Sequence, residues 1–131
     1  MQMKVWSLIL LLVVFLVGFS KFSEANEQSD GMIIQNYNLV KKEALDGGKE
    51  QNLILNTSMQ AMWEGIVFTN ALAKMKSGNP LICTKNEINS GKDLSRVVDG
   101  YIKQSPDKVN PNDRLALVAI LALNEFYPCS N

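Results

Sequence analysis

The chain has 131 residues, no histidine, two cysteines and a formal charge of zero, thirteen basic residues standing against thirteen acidic ones. The lack of histidine excludes Ser-His-Asp and Cys-His catalysis and histidine-based zinc sites. Neutrality leaves no electrostatic footprint for nucleic acid or an anionic membrane, so neither is expected as a partner.

Lys4 is followed by an apolar run from Val5 to Phe19, interrupted only by Ser7 and Gly18, and then by the small residues Ser20, Ser23 and Ala25. A positive start, an apolar middle and a small-residue end are the marks of a cleaved secretory signal peptide. Residues 1–25 are read as that leader, with cleavage after Ala25 fitting best and cleavage after Ser20 as the alternative. A retained anchor is the competing reading, but a spanning helix wants about 20 apolar residues and this core is shorter. No cysteine follows the apolar core, which disfavours a lipoprotein. The exported part, residues 26–131, is long enough for one domain with a modest core. Lys4, Lys21 and Glu24 leave with the leader, so eleven basic residues face twelve acidic ones in that domain. The expected location is the periplasm.

After a polar stretch at residues 26–31, Ile33, Ile34, Tyr37, Val40 and Ala44 share one face of a first helix, which Gly47-Gly48 ends. A second helix is expected from about Lys49 to Lys76. Its stripe is read as Leu53, Ile54, Ser58, Ala61, Met62, Gly65, Phe68, Thr69 and Leu72, widened by Met59, Trp63 and Ile66. Lys74 and Lys76 suit its C-terminus, and Ser77-Gly78-Asn79-Pro80 stops it.

A connector over residues 79–90 carries Cys83. Ser90 then caps a third helix, with Asp93 placed to reach back. Leu94, Val97, Val98, Tyr101 and Ile102 form its buried stripe, and Pro106 closes it. Asn110-Pro111-Asn112-Asp113 reads as the start of a fourth helix, a cap followed by proline at the first helical position. Leu115 to Leu123 is apolar on all sides, as in a central helix or one that also packs in a dimer. Pro128 ends it. No strand alternation persists, so the expected fold is all-α, a small bundle of about four helices. The apolar surface of the second and fourth helices is generous for so small a core, and a homodimer is expected.

Cys83 and Cys129 both lie in the exported part, where an even number of cysteines reads as a disulfide framework. With two cysteines only one pairing exists, and it clamps the third and fourth helices into a hairpin. A redox pair or a cysteine nucleophile is the other reading, but the spacing and the neighbouring base those chemistries need are missing. The carboxylates nameable for acid–base work, Glu64, Glu87, Asp99 and Asp107, sit on ordinary helix faces or in loops. Gly47-Gly48 is a helix stop and not a phosphate loop. Asn56-Thr57-Ser58 matches a glycosylation sequon inside a helical pattern. No cofactor, metal or enzymatic activity is expected.

The stretch from Pro80 to Cys129 is distinctive: Pro-Leu-Ile-Cys, then Ser90-Gly91-Lys92-Asp93-Leu94-Ser95-Arg96-Val97-Val98-Asp99-Gly100-Tyr101-Ile102, then Ser105-Pro106, then an apolar helix ending Phe126-Tyr127-Pro128-Cys129. It resembles the Rap/Tai family of immunity proteins, periplasmic partners of peptidoglycan-amidase toxins delivered by type VI secretion. Met62-Trp63-Glu64-Gly65-Ile66 is similar to a helix of that family in which glycine follows an aromatic or apolar residue. The resemblance covers roughly the last 80 residues and is strongest over the final 50. Many relatives carry two further cysteines in the first half; here the matching region, Tyr37 to Met62, has none.

The resemblance implies a protein that binds an amidase effector and blocks its active site. It places partner-binding loops at Asn86, Glu87 and Asn89 in the connector and at Asp107, Lys108, Asn110 and Asn112 in the last turn. A periplasmic helical chaperone or stress protein, exposing its apolar fourth helix on acidification, is the alternative.

Overall fold

The computed structural model describes residues 31–129, which belong to a single compact unit. The leader reading, residues 1–25, lies outside the described residues. Four helices follow in chain order: α1 Ile34–Leu45, α2 Lys49–Ser77, α3 Gly91–Gln104 and α4 Leu115–Phe126, with a 3₁₀ turn at Pro106–Lys108. Among the described residues there are no strands beyond one isolated bridge between Ile33 and Arg114. The all-helical expectation therefore holds.

Helix α1 has no side-chain cap. Its free N–H groups go instead to the loop before α4: Ile34 N–H donates to the Asp113 carbonyl at 3.0 Å and Gln35 N–H to that of Pro111 at 2.9 Å. In return, Leu115 N–H donates to the Met32 carbonyl at 2.8 Å. The N-terminus of each of these two helices is thus satisfied by carbonyls of the segment leading into the other. Gly47, in the left-handed region at φ 96°, turns the chain from α1 into α2.

Helix α2 is 29 residues long, about 43 Å. It closes on Gly78, left-handed at φ 79°, whose N–H reaches the Lys74 carbonyl at 2.8 Å. Its buried side is Met59 and Trp63, with Leu55, Met62 and Ile66 partly buried against the core. This corrects the stripe expected from the sequence: Leu53, Ile54, Phe68 and Leu72 are exposed. The helix is apolar on two opposite sides, and α1 and α3 both pack on the side carrying Met59 and Trp63.

Helix α3 follows its sequence pattern closely. Ser90 Oγ accepts from Asp93 N–H at 3.3 Å, and Leu94, Val97, Val98 and Tyr101 are buried with Ile102 packed beside them. Asp93 Oδ2 reaches back to Asn89 N–H at 3.0 Å and to the Ser90 hydroxyl at 2.9 Å. These donors, the Asn89 N–H first and then Ser90 and Arg96, hold the Asp93 carboxyl below its ordinary value.

Helix α4 begins at Leu115, later than the expected start at Asn110. Asn110 to Asp113 is a closed turn: Asn110 N–H donates to Asp113 Oδ2 at 2.7 Å, and Asp113 N–H to the Asn110 carbonyl at 2.9 Å. Pro111 is therefore a turn residue and not the first residue of the helix. Nor is α4 buried all round. Leu115, Val118, Ala119, Ala122 and Leu123 enter the core, while Leu117, Ile120 and Leu121 face outward. Phe126 meets Tyr101 of α3 edge to face, ring centres 6.1 Å apart.

Cys83 and Cys129 form the expected disulfide. Cys83 precedes α3 and Cys129 follows α4, so the bridge brackets both helices; the Cys83 N–H also donates to the Tyr127 carbonyl at 3.2 Å.

Candidate functional site

The connector between α2 and α3 is fastened to the core from several directions. Asn70 of α2 turns its amide into it: Oδ1 accepts from Leu81 N–H at 2.7 Å and Ile82 N–H at 3.0 Å, and Nδ2 donates to the Ile82 carbonyl at 2.9 Å. Ile82 and Ile88 are buried at its two ends. The disulfide holds Cys83 between them. What lies inside these anchors is a short exposed loop, Thr84 to Glu87, closed by a Glu87 N–H bond to the Thr84 carbonyl at 2.8 Å.

Two consecutive residues of that loop, Lys85 at φ 49° and Asn86 at φ 64°, are left-handed without being glycine. The left-handed region costs about 1–2 kcal/mol for an L-residue such as lysine and less for asparagine. Asn89 Nδ2 caps the turn by donating to the Asn86 carbonyl at 2.8 Å. Strain of this kind persists only where the surroundings over-determine it, and it concentrates at binding sites. Beside the loop runs a groove of about 340 Å³, floored by Trp63, Ile66, Ile82 and Ile88 and rimmed by Asn86 and Asn89. It combines an apolar floor with amide groups able to donate and accept.

The seven partner-binding residues expected from the sequence fall into two groups. Asn86, Glu87 and Asn89 lie together before α3. Asp107, Lys108, Asn110 and Asn112 lie after it, and the 14 residues of α3 separate the two groups by about 20 Å. They do not converge on one site. In the second group, Lys108 pairs with Glu125 at 3.1 Å, which raises its pKa. The Asn110 side chain accepts from Asn112 N–H at 2.9 Å inside the closed turn. Lys108 thus ties the turn after α3 to α4, while the bond between Asn110 and Asn112 is local to that turn.

The carboxylates considered for acid–base work are dispersed. Glu64 accepts from Gln60 Nε2 at 2.9 Å on the outside of α2. Asp99 pairs with Lys41 and accepts from the Tyr37 hydroxyl at 2.9 Å, with Ser95 Oγ 2.7 Å from the same hydroxyl. Burial pushes the Tyr37 phenol well above its ordinary pKa, so it stays a neutral donor joining α1 to α3. No group of three or more histidine, cysteine, aspartate or glutamate side chains could hold a metal among the described residues. The sequon Asn56-Thr57-Ser58 lies within α2.

Sequence reasoning named the connector's polar residues but missed its anchor, Asn70, and its groove. A lone asparagine on a helix face carries no local signal of the carbonyl and amides it meets twelve residues later. No helix among the described residues is long and apolar enough to cross a membrane. No family model, curated protein or solved structure matches this chain.

Proposed function

We propose that the chain is an exported, non-enzymatic immunity protein that binds a peptidoglycan-amidase effector of type VI secretion in the periplasm and blocks its active site. The reading rests on the resemblance over Pro80 to Cys129 and on one structural observation: an exposed loop held in left-handed geometry by a disulfide, a side-chain amide and two buried isoleucines. A loop ordered before it meets its partner loses less entropy on binding, which is the benefit of preorganisation. Of the two loop groups, the connector is the better inhibitory element, because its left-handed backbone adjoins a groove with an apolar floor. Asn86, Glu87 and Asn89 supply the polar contacts, and the groove beside Trp63 takes an apolar side chain of the enzyme.

The test is a peptidoglycan-cleavage assay with amidase effectors from the same source, with and without the purified chain. Stoichiometric inhibition and co-purification of one effector support the reading. Failure to inhibit any of them, together with unchanged sensitivity of cells lacking the chain to sibling attack, contradicts it.

A further inference from the structure

We propose that the groove beside Trp63 binds a small uncharged sugar that carries an acetamido group, an N-acetylated hexosamine. The proposal goes beyond the amidase reading, which places an enzyme side chain in the same groove, and its test contains no enzyme. The connector divides the surface beside it into two grooves of opposite chemistry, with Ile88 lining both. On the side of α4, a groove of about 290 Å³ collects charge: Glu87, Asp93 and Arg96 line it, with Phe126 and Tyr127. On the side of α2, no residue lining the groove of about 340 Å³ is charged. Lys85 and Glu87 flank Asn86 in the chain, yet of the three only Asn86 lines this groove. An ion entering it would lose water and gain no opposite charge, so a charged ligand is selected against. The floor is apolar: Trp63, Ile82 and Ile88 are buried, and Val67 forms an exposed lip.

The rim holds hydrogen-bonding groups that the fold does not spend. Asn70 commits its amide to Leu81 and Ile82. By contrast, among the described residues the Thr84 hydroxyl, the Asn86 side-chain amide and Oδ1 of Asn89 have no partner, although Asn89 Nδ2 is tied to the Asn86 carbonyl at 2.8 Å. Unspent donors and acceptors over an apolar floor are the make-up of a small-molecule site, and the volume lies at the lower end of the usual range of about 300–1,000 Å³. An N-acetylated hexosamine answers each part. Its methyl group and the apolar face of its ring suit the floor. Its acetamido N–H and C=O suit Asn89 Oδ1 and Asn86 Nδ2, and a ring hydroxyl suits Thr84. Because the disulfide and Asn70 hold the connector, the site exists before the ligand arrives.

The experiment is a nuclear magnetic resonance titration of the isotope-labelled chain with N-acetylglucosamine and with its trimer, followed at Thr84, Asn86, Ile88, Asn89 and the Trp63 indole N–H. Saturable shifts confined to these signals are expected, with a dissociation constant on the order of 1 mM for so small a ligand. Glucosamine, which is cationic and lacks the acetyl group, should bind at least about tenfold more weakly. Asn86→Asp, which keeps the side-chain shape and brings a charge to the rim, should weaken N-acetylglucosamine by about tenfold, and Val67→Glu should do the same from the opposite lip. Asn86 and Val67 are both exposed, so neither variant disturbs the core. The absence of shifts at these signals with about 50 mM of either sugar overturns the proposal. So does equal binding of glucosamine, or tighter binding of N-acetyl-leucinamide, which would reserve the groove for an apolar side chain of a protein partner.

Discussion

The backbone N–H of Gly91 donates to Oε1 of Gln60 at 2.9 Å, and the two residues are so close that a Cβ on Gly91 would lie 2.3 Å from the Gln60 backbone nitrogen. This contact seats the first turn of α3 on the middle of α2, satisfies an orphan N–H of the helix start, and sets where the connector emerges.

Gly91→Ala is therefore expected to destabilise the fold by about 1–3 kcal/mol, because the clash is with backbone and cannot be relieved by a rotamer change. Urea unfolding measures it. A change within about 0.5 kcal/mol, the range of ordinary surface substitutions, would show that the two helices are not held this closely.

Reducing the disulfide, or replacing Cys83 and Cys129 by serine, should remove roughly 4 kcal/mol of stability on the chain-entropy model for a loop of this length. Because the bridge also holds the connector, amide exchange at Thr84 to Glu87 should accelerate more than exchange within α3. Uniform acceleration would mean that the bridge acts on global stability alone.

Removing the Asn70 amide, as in Asn70→Ala, leaves two connector N–H groups and one carbonyl without their partner. These bonds are exposed or half-buried, so a loss of about 0.5–1.5 kcal/mol is expected. Faster exchange at Leu81 and Ile82 is the direct readout, and unchanged exchange at both would show that Asn70 is not their anchor.

The Asp93 carboxyl is held below its ordinary pKa by the Asn89 N–H, the Ser90 hydroxyl and Arg96. A depressed folded value means that its contribution is fully present above the unfolded carboxylate pKa and is lost as pH falls through the folded one. Asp93→Asn should therefore be less stable than the wild type near neutrality, with the difference shrinking on acidification. A difference that is constant with pH would contradict the capping role.

How much of this was legible in the sequence differs by element. Helix α3 was readable because Ser90 and Asp93 form a cap and its apolar residues occupy one stripe. Helix α2 was located correctly at both ends, but its buried side was not, since it carries apolar residues on opposite faces and periodicity cannot rank them. The start of α4 was misread for a different reason. Asn-Pro-Asn-Asp has the composition of a helix cap, yet its side chains bond within the turn and its carbonyls serve α1, a pairing across nearly 80 residues that no local pattern encodes. At the connector the polar residues were visible, but left-handed geometry at Lys85 and Asn86 was not, because neither is glycine.

The central claim is that the anchored connector is the partner-binding element, and the most direct measurement is inhibition of a co-purifying amidase by connector and last-turn variants. Asn86→Ala combined with Asn89→Ala should weaken inhibition by roughly tenfold or more, while Lys108→Ala combined with Asn112→Ala should change it by less than about threefold. The reverse ranking, or full inhibition by the connector variant with its fold intact, would contradict the account.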